Sequence, residues 1–142
     1  MRRRTWVLLG CCALAGLAGC TRVPERPRPY PVSGKVLLPK GEPMRGGRVV
    51  FQPKDLTADE SGLEAIGEIN ADGTFKLTTF EKDDGAVPGV YVVTIDPCSY
   101  KTATPRRFHE SEIPKSYLSR KSSPLELEVK AGPNDVGTIQ LR

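Results

Sequence analysis

The chain has 142 residues, room for one domain, and a formal net charge of +4. Arg2, Arg3 and Arg4 lie in a segment expected to leave on export, which lowers +4 to +1 for the remainder. A nearly neutral domain argues against a nucleic-acid partner, which requires a basic footprint. Gly and Pro are frequent (14 and 13) but punctuate apolar alternation, the pattern of a strand-rich fold rather than a disordered chain.

The N-terminus reads as an export segment: a charged start over Met1–Thr5, an apolar run from Trp6 to Leu17, then Ala18-Gly19-Cys20. A helix from Trp6 to Gly19 would span about 21 Å, short of the roughly 30 Å hydrocarbon core, so cleavage is expected rather than a permanent span. Leu17-Ala18-Gly19-Cys20 resembles the lipobox of bacterial lipoproteins. The resemblance implies a diacylglycerol on the Cys20 sulfur and a cut just before it. Residues 1–19 are then a lipoprotein signal peptide. Lipid chains at about 0.8 kcal/mol per buried methylene make such attachment effectively permanent. Asp is absent after the cysteine, where Thr21 stands, and in those lipoproteins this implies the outer membrane, periplasmic or surface side.

Residues 20–31 read as the lipidated cysteine and a tether. Pro24, Pro27, Pro29 and Pro31 favour polyproline II, with Arg22, Arg26 and Arg28 between them. As a solvated spacer its eleven residues after Cys20 would reach roughly 34 Å.

From Val32 onward the dominant period is two. Val32, Gly34, Val36 and Leu38 share one face of a first strand. Gly46-Gly47 turns the chain into Arg48–Gln52, with Pro53 expected to end the pairing. Ala65, Gly67 and Ile69 face inward in a third run. Asn70-Ala71-Asp72-Gly73 signals a hairpin, returning through Phe75, Leu77 and Thr79. Val90–Ile95 is apolar at both parities, as in a central strand covered on both faces. Leu125, Leu127 and Val129 alternate with charged residues, and Ile139 and Leu141 close the core. Seven short strands read as a β-sandwich over residues 32–142.

The stretch from Pro97 to Ser123 is long for a structureless connection. Ile113, Tyr117 and Leu118 could anchor it on the core through a helical turn after Pro114. Loops on rigid scaffolds commonly carry function, and Tyr100, Arg106, Arg107, Phe108, His109 and Tyr117 are the candidate partner-binding residues.

Gly34-Lys35-Val36, Gly46-Gly47-Arg48-Val49-Val50-Phe51, Asp72-Gly73-Thr74-Phe75-Lys76-Leu77 and Pro88-Gly89-Val90-Tyr91-Val92-Val93, in that order, resemble carboxypeptidase regulatory-like, or transthyretin-like, domains. Ile113-Pro114, Tyr117, Ser123, Leu125 and Asn134 resemble the end of the version found in small bacterial lipoproteins. The resemblance implies a seven-stranded prealbumin-like (Ig-like) β-sandwich with a non-catalytic role.

The residue inventory agrees with a non-enzyme. His109 is the only histidine, which leaves no His-based zinc site, no transthyretin-type hydrolase and no intradiol dioxygenase. No phosphate loop or Ser-His-Asp set is present. Asp72-Gly73 and Asp83-Asp84-Gly85 read as turns rather than calcium ligands. No catalytic residue, metal site or cofactor is therefore expected. The body holds one cysteine, Cys98, read as an unreactive thiol. The expected function is a lipid-anchored, non-catalytic envelope module binding a protein partner or organising the surface, with carbohydrate or peptidoglycan binding as the alternative.

Overall fold

The computed structural model describes residues 26–55, 63–101 and 103–142. Cys20 and the expected signal peptide, residues 1–19, lie outside them, as does most of the acidic loop from Asp55 to Gly62. The described residues form β1 (Val32–Leu37), β2 (Arg48–Pro53), β3 (Ala65–Glu68), β4 (Thr74–Lys76), β5 (Gly89–Asp96), β6 (Cys98–Ser99), β7 (Arg106–Arg107), a 3-10 turn (Lys115–Leu118), β8 (Glu126–Val129) and β9 (Asn134–Gln140). That is nine strands where seven were expected. A three-stranded sheet runs β4-β1-β9, a four-stranded sheet runs β3-β2-β5-β8, and β6 and β7 form a separate ribbon.

Period-two alternation places one apolar set between the two sheets. Val32, Val36, Phe75 and Ile139 from the first sheet join Val49, Phe51, Tyr91, Val93, Ile95 and Val129 from the second in one buried cluster. The Phe51 ring lies at its centre, 6.3 Å from Phe75 and 5.9 Å from Tyr91, both tilted. β5 is the central strand: β2 pairs it on one side and β8 on the other, and Tyr91 to Ile95 are buried at both parities. β1 and β9, from opposite ends of the body, pair in parallel.

Three local expectations change. Pairing does not end before Pro53, which sits opposite Tyr91, and the Lys54 N–H donates to Val90 O at 2.8 Å. Because Lys54 turns its N–H to β5, the Pro53 nitrogen faces the other side, where pairing with β3 has ended at Phe51 and no donor is needed. The Asn70–Gly73 hairpin splits between sheets: β3 joins β2 while β4 joins β1. The Ile66–Thr78 bridge, the Asn70 N–H to Thr74 O bond and the Asn70 Nδ2 to Thr74 Oγ1 bond cross between its arms. The tether, finally, is not free throughout. Tyr30 exchanges two backbone hydrogen bonds with Ala86, of 2.8 and 3.0 Å. Upstream, the Arg26 guanidinium stands 5.8 Å from the Phe80 ring centre. Residues 26–31 therefore lie along the body, which shortens the reach expected of a solvated spacer.

Candidate binding surface

The chain leaves β5 at Asp96 and enters the β6–β7 ribbon, where Cys98 pairs with Arg107 and Ser99 with Arg106. A two-stranded ribbon is marginal alone, and this one is fastened at several points. The Phe108 N–H donates to Pro97 O at 2.8 Å, and the Cys98 N–H to Asp96 Oδ1 at 2.8 Å. Ser99 Oγ donates to Glu68 Oε2 at 2.9 Å. The Tyr100 ring covers the Arg48 guanidinium at 4.4 Å, in cation–π range, while Arg48 also pairs with Asp96. The Phe108 ring rests on Gly46, where an added Cβ would come within 2.8 Å of three ring carbons. Glycine there is a requirement of the ribbon's seat as well as of the turn.

The six loop residues singled out from sequence separate into three groups. Tyr100, 54% exposed, and Arg106 and Arg107 face solvent. Arg107 pairs with Glu110, and no ion pair engages Arg106 among the described residues. Phe108 and His109 are half-buried and act as fasteners. His109 is not freely solvated. It turns the chain at φ 52°, its Nδ1 lies 2.7 Å from Glu112 Oε1, and its Nε2 accepts from the Arg45 N–H at 3.4 Å. Accepting at Nε2 places the neutral ring's proton on Nδ1. Tyr117 leaves the surface set altogether. It is 7% exposed, within the core beside Ile113, and its hydroxyl accepts from the Arg142 N–H at 3.3 Å. A buried ring with a satisfied hydroxyl is the stabilising arrangement for tyrosine. Leu118, by contrast, stays exposed.

Sequence reading missed Arg45 and Lys101. With Arg106, Phe108 and Gly46 they line a cleft of about 260 Å³ beside the ribbon. Next to it a groove of about 1050 Å³ covers the outer face of the β4-β1-β9 sheet. One wall of the groove is the turn carrying Lys82 and Asp83. Asp84 organises that turn: its carboxylate accepts from the Thr79 N–H at 2.7 Å, the Glu81 N–H at 2.8 Å and the Phe80 N–H at 3.0 Å. Burial pushes the Asp84 carboxyl up, but these N–H donors outweigh it and hold the group below its ordinary 3.8. A lowered folded value means the contribution is complete above pH 3.8 and is lost as pH falls through the folded value. Acid titration of stability should therefore show a loss below that pH which Asp84→Asn reduces. An unchanged acid limb in the variant would contradict the turn's dependence on this carboxylate.

Cys98 is half-buried and unpaired with another cysteine. Its sulfur raises the neighbouring Tyr100 phenol above the ordinary tyrosine value. Among the described residues no three His, Cys, Asp or Glu side chains gather where a metal ion could bind.

No protein-family model and no curated protein matches the chain. Among solved structures it is similar to a 9R-lipoxygenase from Cyanothece PCC8801, with a TM-score of 0.40 and 11% identity. The likeness covers 80% of this chain and 16% of that one. The chain thus spans a small part of that enzyme's length, and a likeness so distant carries no argument about fold or activity.

Proposed function

We propose that the protein is a lipid-anchored, non-catalytic cell-envelope lipoprotein whose β-sandwich engages a protein partner through the β6–β7 ribbon. Cys20 is the proposed lipid attachment site, and the outer membrane, periplasmic or surface side, the proposed location. The order of turn motifs along the chain supports a carboxypeptidase regulatory-like, prealbumin-like domain. One observation carries the binding reading: Tyr100, Arg106 and Arg107 are exposed on a ribbon that Phe108, Ser99 and Arg48 fasten to a rigid core. Aromatic and arginine side chains held in this way suit a protein interface.

The test is crosslinking in cells expressing the full chain, mild detergent extraction and mass spectrometry. One reproducible envelope protein is expected. Tyr100→Ala combined with Arg106→Ala should lower its recovery by about tenfold or more, the scale of losing interface hot spots. Equal recovery with the double variant, or no specific protein at all, would overturn the reading.

The alternative, glycan binding, draws on a different feature. The groove over the β4-β1-β9 sheet is lined by hydroxyl, amide, lysine and carboxylate side chains.

A further inference from the structure

The cations of the second sheet and ribbon outside the cleft have a carboxylate beside them. Lys54 pairs with Glu126 at 2.8 Å, Arg107 with Glu110 and Arg48 with Asp96. The cleft beside the ribbon breaks this rule. Arg45, Lys101 and Arg106 line it, and no carboxylate does. None of the three enters an ion pair among the described residues; the Lys101 ammonium donates to the neutral Asn70 Oδ1, at 3.2 Å. Like charges brought together without counter-ions repel, so the arrangement is favourable when an external anion occupies it.

The cleft is also one end of a longer concavity. Lys101 and Asn70 line both the cleft and the groove over the β4-β1-β9 sheet. The groove adds Lys35, Lys76 and Lys82, against Glu68, Asp83 and Asp135. The two concavities together hold six cations and three carboxylates, a local excess in a mature chain of net charge +1. The floor is built by alternation: the outward residues of β1 and β4 are Ser33, Lys35, Thr74 and Lys76, held side by side by the register Ser33–Lys76 and Lys35–Thr74. On β9 the pairing shifts between Ser33 and Lys35, a bulge at which Asp135 Oδ1 accepts from the Gly137 N–H at 2.9 Å. Bulges at sheet edges commonly re-aim side chains at a site, and this one sets Asp135 and Thr138 on the groove side.

The chemistry of the lining discriminates between polyanions. A peptide groove needs pockets for apolar anchors. The large apolar residues here are Phe75, buried, and Ile66, half-buried. What faces the groove is hydroxyl, amide and ammonium, the partners of sugar hydroxyls and sugar carboxylates, together with the carboxylates of Glu68, Asp83 and Asp135, which suit sugar hydroxyls as donors. At the cleft end Phe108, half-buried, lines the wall beside the cations, an apolar surface suited to a sugar ring.

We infer that the outer face of the β4-β1-β9 sheet and the adjoining Arg45–Lys101–Arg106 cleft form one binding track for an extended acidic polysaccharide. The inference rests on the anchored, non-catalytic binding-module reading, and it names the ligand class for its glycan alternative. Arg45, Lys101 and Arg106 take a sugar carboxylate at one end. Lys76 and Lys35 take the next along the sheet, and Ser33, Thr74 and Thr138 hydrogen-bond to hydroxyls between them.

The test uses the full-length lipidated protein in detergent, with galacturonate oligomers, neutral dextran oligomers, polyglutamate and inorganic phosphate as probes at matched ionic strength. Galacturonate oligomers should bind saturably and release at about 1 M salt, where screening shortens to about 3 Å. Arg106→Glu with Lys101→Glu should weaken them about tenfold or more, as should Lys35→Glu with Lys76→Glu. Lys115→Glu, an equal charge change per residue on the 3-10 turn, should leave binding unchanged. All these positions except Lys35, which is half-buried, are exposed, and retained thermal transitions would show that the variants fold. Tighter binding of polyglutamate would overturn the inference in favour of an acidic protein segment. So would occupancy by phosphate alone, or galacturonate binding that Lys115→Glu weakens equally. A specific crosslinked protein with no galacturonate binding would overturn this inference and leave the partner-binding reading standing; the reverse would do the opposite.

Discussion

Replacing Phe51 with Ala is expected to cost about 3–5 kcal/mol of stability, the range for removing a fully buried phenylalanine. Phe51 is 0% exposed and its ring touches both sheets, through Phe75 on one side and Tyr91 on the other. Close-packed surroundings relax only partly into such a space, so a cavity term adds to the lost transfer energy. For a domain of this size the loss corresponds to about 12–20 °C in melting temperature. Val50→Ala is the control, since Val50 lies one residue away on the half-buried face of the same strand. Its expected cost is under about 1.5 kcal/mol. Equal losses from both substitutions would mean that the sheets do not meet at Phe51.

Gly85→Ala should have an effect of similar size for a backbone reason. Gly85 has φ +97°, and a Cβ there would fall 1.7 Å from Tyr30 O and 2.3 Å from Tyr30 C. Neither atom belongs to a flexible side chain that can swing away. Tyr30 would have to separate from Ala86, breaking the two backbone hydrogen bonds between them. The left-handed conformation costs about 1–2 kcal/mol for alanine, and each of the two lost hydrogen bonds about 0.5–1.5 kcal/mol, giving about 2–5 kcal/mol together. Hydrogen exchange should also show faster exchange of the Tyr30 and Ala86 amides in the variant. Unchanged exchange and stability would contradict the docking of residues 26–31 on the body.

The strands that were legible in the sequence are those whose apolar period speaks for itself. Val32 and Val36, Ala65 and Ile69, and Leu125 to Val129 alternate and fall on the buried side. The double-sided apolar run from Tyr91 to Ile95 marked the strand with neighbours on both edges. What periodicity does not carry is partnership. β1 and β9 pair in parallel from opposite ends of the body, and no turn between them announces it. The Asn70–Gly73 turn has every local sign of a simple hairpin. Yet Gly67, whose Cβ would lie 3.0 Å from both Lys76 O and Val49 Cγ1, belongs to the sheet of β2 rather than to that of β4.

The proposed binding surface rests on sequence signals only in part, for the same reason. The length of the 97–123 stretch pointed to it, and Tyr100, Arg106 and Arg107 are exposed there. Tyr117 had two readings, core anchor and interface residue, because its chemistry suits both equally, and packing decides for the core. Arg45 carries no motif of its own. Its one local clue is the Gly46-Gly47 pair that follows, which lets the Phe108 ring approach and brings Arg106 alongside. Lys101 joins them only once β6 has paired with β7.

Mass spectrometry of the N-terminal peptide from protein extracted from the membrane fraction tests the anchored state directly. The predicted peptide begins at Cys20 and carries the mass of a diacylglycerol on its sulfur, and Cys20→Ala should yield an unlipidated, uncut precursor. A mature chain beginning elsewhere, an unmodified Cys20, or normal lipid labelling of the Cys20→Ala variant would contradict the lipid anchor on which the proposed function stands.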